Sequence, residues 1–188
     1  MAKTIILASK SLGRKLLLEE AGFQVIVQPT KADESHHRVS VKESVQLLAK
    51  RKMAAFLLEN PKPEYPVIAS DTLLEFQGAE LGQPAHREDA LHQLTQLQGS
   101  THSVYSAWEL WINGTIYRGC DQSFVTFKTF DDDALQRYLE TNEWAGAAGS
   151  YRYQGFGKAL VESLEGDETT VIGLPMNQIF GILAKALP

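Results

Sequence analysis

Asn113-Gly114 is the feature that most narrows the fold. An Asn-Gly pair suits the two left-handed positions of a tight hairpin turn. Ser103 to Ile112 precedes it and Thr115 to Phe127 follows it, so the pattern predicts two long strands joined by that turn. Trp108 and Trp111 fall on opposite faces by alternation. Asn113-Gly114-Thr115 also fits a glycosylation acceptor pattern, but the hairpin turn explains it more simply.

The chain has 188 residues, 44% of them hydrophobic, enough for one domain over 1–188 with a sizeable core. Its net charge is −5. There is no basic block or stripe, so a nucleic-acid partner is not expected. Cys120 stands alone, which excludes an internal disulfide and a cysteine zinc site. The apolar run near the N-terminus is too short for a signal peptide or a membrane span. The expectation is a soluble, cytoplasmic protein without a membrane partner.

Thr4 to Ala8 reads as a buried first strand. Ser9-Lys10-Ser11 is a polar turn, with Ser11 placed to cap a helix and Gly22 to end it. Phe23 to Val27 reads as a second strand. Ser40-Val41-Lys42-Glu43 is a capping box that starts a long helix near Val41. Pro66 to Ala69 reads as a short buried strand, so Asp71 is expected where a core strand ends. Gln77-Gly78 is a turn and Leu81 to Pro84 a short loop. Arg87 to Gln98 reads as a helix stopped by Gly99. Asp131-Asp132-Asp133 precedes helically spaced Ala134, Leu135, Tyr138 and Leu139, and caps that helix rather than binding metal. Leu160 to Asp167 reads as a strand leaving into a turn. Thr170 to Pro175 then turns into a last helix over Met176 to Leu187.

Some residues suggest chemistry. The Asp71 carboxylate could be catalytic, since strand ends in α/β folds collect ligands, or a turn aspartate bonding its own backbone. Ser9, Ser11 and Arg14 at a helix N-terminus could bind phosphate, or be a cap and a solvated charge. Asp33-Glu34 could hold a hard cation. His36-His37 has no third ligand nearby and reads as solvated. On the long helix, Val45, Leu48, Ala49 and Phe56 share a face at roughly 100° per residue, and Lys52 falls in its middle. A lysine there either snorkels or meets an anion. Residues 144–157 are rich in small side chains, as a flexible loop or as backbone that approaches a ligand closely.

Taken in order, these segments resemble the Maf family of nucleoside triphosphate pyrophosphatases. Ile5 to Ser11, Ser70-Asp71-Thr72, Gly99 to Ser106, Ala148 to Tyr151 with Gln154-Gly155, and Val171 to Pro175 carry the resemblance almost end to end. It implies a Maf/ITPase-like α/β fold, an elongated mixed β-sheet flanked by helices with a central cleft. It also implies a cytoplasmic homodimer that cleaves the α–β bond of a nucleoside triphosphate, pyrimidine or modified. The products would be the monophosphate and pyrophosphate, and Mg²⁺ or Mn²⁺ would be required. Carried over by position, Asp71 and Glu34 would be catalytic and would hold the metal. Ser9, Ser11, Arg14, Lys52, Thr72 and Gln154 would bind the substrate.

The chain departs from the family pattern at several points. Leu12 and Gly13 stand where a proline and an arginine are usual, and Leu16 where a glutamate is. Gln83 and Ala147 replace lysines. Two or three positive charges are therefore missing, and each charge-assisted contact is worth about 1.5–3 kcal/mol. The alternative function is a catalytically weak nucleotide-binding regulator of cell division that works through protein contacts.

Overall fold

A computed structural model describes residues 3–35 and 40–186; the His36-His37 pair lies outside them. The described chain runs β1 (Lys3–Leu7), α1 (Leu12–Glu20), β2 (Phe23–Val27), α2 (Val41–Glu59), β3 (Val67–Phe76) and β4 (Ala79–Leu81). It continues through α3 (Arg87–Leu97), β5 (Thr101–Ile112), β6 (Thr115–Phe127), α4 (Asp132–Glu140), β7 (Val161–Glu165), α5 (Glu168–Ile172) and α6 (Met176–Ala186). Two 3₁₀ turns, Ala148–Ser150 and Phe156–Leu160, lie between α4 and β7.

The strands form one mixed sheet in the order β2-β1-β3-β5-β6-β7, with β4 paired to β3. β1 is parallel to β2 and β3; the remaining pairs are antiparallel. The Asn113-Gly114 turn has positive φ at both residues, 49° and 87°, and its strands pair along their whole length from Ile112↔Thr115 to Thr101↔Thr126. The local helix signals also hold. Ser11 caps α1, the Ser40–Glu43 capping box opens α2, and Asp131 caps α4 by accepting from the Ala134 N–H at 2.7 Å.

The structure corrects three expectations. β3 does not stop at Ala69 but runs on to Phe76, with Asp71 in mid-strand, because β5 pairs with it from Val67↔Trp111 to Glu75↔Ser103. What ends early is β1, whose last pairing with β3 is Leu7↔Ile68. Asp71 therefore lies just past the end of a neighbouring strand rather than of its own. β4 is a short strand added by the Gln77-Gly78 turn, both of whose residues have positive φ. α5 is the third, a single short helix capped by Asp167 and ended by left-handed Gly173.

Two apolar bodies divide the sheet. On one side, Ile5, Leu7, Leu17, Ile68, Trp108 and Ile179 pack between the sheet, α1 and α6. α2 covers the opposite face there through Met53 and Phe56, with Trp111 packed against them, so the two tryptophans do face opposite ways. Further along β3, β5 and β6, Leu74, Leu94, Val104, Phe127, Leu135 and Tyr151 form a second core with α3 and α4. Between the two cores the strands turn polar: Ser70 and Ser106 are fully buried and Asp71 nearly so. This polar break is where the family resemblance puts the cleft. Among the described residues no helix is long and apolar enough to cross a membrane.

The second core contains a buried imidazole. His102 Nε2 lies 2.8 Å from the Tyr151 hydroxyl, while Nδ1 has no hydrogen-bond partner among the described residues. Burial holds the His102 pKa down at about 4, against about 6.5 for an exposed histidine. Between those values the unfolded chain takes up a proton that the folded chain refuses. Stability should therefore fall as pH drops from about 6.5 towards 4, with His102 contributing up to about 3 kcal/mol of the loss. Melting curves of the wild type and His102→Gln across that range test this. The variant's curve should be flatter, and parallel curves would remove His102 as the cause.

Candidate active site

The β1–α1 turn builds one wall of the cleft around Arg14. Ser11 donates its backbone N–H to Ser9 Oγ at 3.2 Å, and the Ser11 side chain caps α1. That geometry turns Arg14 inward, where its side chain meets four acceptors on three segments: the β1–α1 turn, β3 and the end of α5. Nε donates to the Gly173 carbonyl at 2.9 Å; Nη1 donates to Ser9 Oγ at 3.0 Å and to the Ser70 carbonyl at 2.9 Å; Nη2 donates to Thr72 Oγ1 at 2.9 Å. The network extends from Thr72 Oγ1 to Ser106 Oγ at 2.8 Å, and Ser106 donates to the Thr170 carbonyl at 2.7 Å. Ser70 Oγ also donates to the Gly173 carbonyl at 2.7 Å. Arg14 is 8% exposed. Its burial presses the guanidinium pKa below the usual range, while Asp71 and Glu34 pull it back up.

Helix α2 supplies the second cation. Lys52 does not snorkel to solvent. Its ammonium donates to Asp71 Oδ1 and lies 3.0 Å from Glu34 Oε1. Arg51, the next residue back, pairs with Asp33 at 3.7 Å and donates to the carbonyls of Asp33 and Ser35, which ties the 33–35 loop to α2. Two carboxylates and an ammonium thus converge at the polar break in the sheet. The anion that Lys52 meets is protein-borne.

In the small-residue loop, Gly149 and Gly157 serve protein packing. Gly149 has φ +66°, and a Cβ there would sit 2.3 Å from Leu74 Cδ2. A Cβ at Gly157 would lie 2.7 Å from the Arg152 carbonyl oxygen. The Gly149 N–H donates to the Gly82 carbonyl, and Gln93 donates to the same carbonyl while accepting from Ser150 Oγ. Gln154 is exposed and closes over α1: a Cβ at Gly13 would lie 2.7 Å from its Nε2. The glycine that replaces the family's arginine therefore makes room for this amide.

Arg14 joins Ser9 to Thr72 directly, and Lys52 joins Asp71 to Glu34; the two groups are linked by charge, since Asp71 and Glu34 both act on the Arg14 guanidinium. Gln154 lies over Gly13 in the first turn of α1, beside Arg14 in the chain. Gly173, Ser106 and Thr170 belong to the same network and were not picked out as site residues. A serine at position 106, just before the apolar Ala107-Trp108, was the available signal for one of them.

Among the described residues no group of three or more His, Cys, Asp and Glu is placed to hold a metal. Mg²⁺ commonly takes one or two carboxylates and completes its shell with water and substrate phosphates. The Asp71–Glu34 pair, already bracketing a cation, fits a metal that arrives with the nucleotide.

Lys52→Met separates two roles for the ammonium. It removes the partner of a nearly buried carboxylate, so the variant should be less stable by about 1–3 kcal/mol. It should also lose most of the thermal stabilisation that added nucleotide gives the wild type. An unchanged melting temperature would mean that the pair with Asp71 contributes nothing to the fold.

Fold and site together describe a mixed α/β protein with a charged, polar break across the middle of its open sheet. The chain belongs to the Maf family: the description "Maf-like protein" matches residues 4–186. It is 38% identical to a dTTP/UTP pyrophosphatase of Bacillus velezensis, covering 94% of this chain and 93% of that one. It is 36% identical to proteins of the same description from Latilactobacillus sakei and Pyrococcus furiosus. The first match covers 95% of this chain and 98% of that one, the second 96% and 94%.

Proposed function

We propose that this protein hydrolyses the α–β phosphoanhydride bond of a pyrimidine nucleoside triphosphate, dTTP or UTP, to the monophosphate and pyrophosphate. The observation that carries this is the Asp71 carboxylate, held at the break between two cores with Lys52 and Glu34 beside it. The names of the relatives support the substrate class.

In this reading Asp71 orients a water and accepts its proton as the water oxygen bonds to the α-phosphorus. The bridging α–β bond breaks and pyrophosphate leaves with the electron pair. The Lys52 ammonium adjoins Asp71, so a phosphate bound there meets a fixed positive charge. Glu34 shares the water or the cation with Asp71. Arg14 holds the Ser70 carbonyl, Thr72 and Ser9 in place, and Gln154 approaches the substrate from over Gly13. Mg²⁺ or Mn²⁺, when bound, would withdraw charge from the phosphoryl oxygens. Residues 1–188 would act as one domain in the cytoplasm on free nucleotides, as a homodimer, in keeping with the family resemblance and the acidic composition.

Pyrophosphate release from a panel of nucleoside triphosphates, with and without divalent cation, tests the proposal. Release from dTTP and UTP well above that from purine triphosphates supports it. No release from any triphosphate would overturn it. The missing cationic side chains at Gly13, Gln83 and Ala147 favour a second reading, a nucleotide-binding regulator. Its mark would be a nucleotide-dependent rise in melting temperature with no pyrophosphate formed.

A further inference from the structure

Helix α2 has a polar flank that the cleft does not use. Lys52 faces Asp71, and Lys50, two residues earlier, points roughly 200° away around the helix. On that side a cavity of about 360 Å³ opens between α2 and the β5–β6 ribbon, lined by Gln46, Lys50, Ala107, Glu109 and Arg118 among others. Glu109 is the unusual member. It is 5% exposed. It lies in register between Ala69 on β3 and Arg118 on β6. Its carboxylate has one ion pair, to Arg118 Nε at 3.5 Å, and no hydrogen bond among the described residues.

A carboxylate offers about four acceptor positions. The Glu109 oxygens are open to the cavity and spend little of that capacity on the protein. Burial pushes its pKa up, and Arg118 and Lys50 pull it back down. The cleft chemistry explains none of this, and β5 could have carried an apolar residue at this position.

We propose that the cavity is a second ligand site, taking a small molecule with two adjacent N–H donors at one end and an anionic group at the other. The donors would form a two-pronged pair with the Glu109 carboxylate, as a guanidinium or the N1–H/N2–H edge of guanine does. The anion would meet Lys50 and Arg118 at the mouth. The volume is that of a small-ligand site. Ala107 lines the cavity and lies in register with Asp71, and α2 carries both Lys50 and Lys52. A ligand wedged there would press on the Lys52–Asp71 pair and so change turnover.

Two sources share this chemistry, a guanine nucleotide and a free guanidino amino acid. The experiment titrates the whole protein with GMP and, separately, with L-arginine, following binding by calorimetry and turnover by pyrophosphate release. One of the two should bind and alter turnover, and which one does so names the source. Glu109→Gln should weaken that binding about tenfold or more. Lys50→Ala, a surface change on α2, should weaken it several-fold. Asp71→Asn should leave it intact. The unliganded Glu109→Gln protein should melt at or above the wild-type temperature, which certifies its fold. Binding that survives Glu109→Gln would place the ligand elsewhere and overturn the proposal. So would the absence of binding by both compounds.

Discussion

Asp71→Asn should give a folded protein that no longer releases pyrophosphate. Asp71 is the carboxylate at the centre of the polar break, and a positioned general base contributes about 10²–10⁴-fold to a rate. Asparagine keeps the shape and one acceptor oxygen but cannot take a proton from water. The cost to the fold should be small, because Lys52 retains Glu34 at 3.0 Å and the asparagine oxygen can still accept from it. Turnover and melting temperature measured on the same preparation distinguish the two effects. Near-normal turnover would reduce Asp71 to a strand residue that pairs with Lys52. A large drop in melting temperature would mean that the pair serves mainly the fold.

Arg14→Ala should cost stability before it costs affinity. The sequence placed Arg14 at a phosphate-binding turn, where its loss would raise KM. In the structure its guanidinium holds two backbone carbonyls and two hydroxyls from three segments. Alanine leaves these acceptors without their donor in a buried setting. Each hydrogen bond to a charged group is worth about 1.5–3 kcal/mol and the four are not additive, so a total loss of at least about 3 kcal/mol is expected. For a chain of this size that is roughly a 10 °C fall in melting temperature. Arg14→Lys should recover little, since one ammonium cannot span acceptors set around a planar fork. A variant that melts like the wild type but shows only a raised KM would make Arg14 a phosphate ligand and not the organiser of the cleft.

Legibility differed with the range of the interaction. Ser11, the Ser40–Glu43 box, Asp131 and Asn113-Gly114 act within a few residues of themselves, and each does what the local pattern predicts. β3 was cut short because Ser70-Asp71-Thr72 looks like a turn in isolation. Its continuation depends on β5, which begins some thirty residues later and fills its hydrogen bonds. The small residues of 144–157 could not declare whether their close neighbour would be ligand or protein. At Gly149 it is Leu74 from β3.

By itself the sequence determined the hairpin and its register, the ends of the principal helices, the faces they bury, and the place of Lys52 on the apolar face of its helix. These follow from the backbone period, from caps and from turn chemistry, all short-range quantities. The tertiary structure decided what the inward cations meet. Lys52 finds Asp71 across 19 residues of chain, and Arg14 finds the Gly173 carbonyl across 159. A side chain's direction is set by its own element, but its partner is set by where the remaining elements come to lie. A buried cation takes the nearest anion or acceptor that the assembled fold supplies.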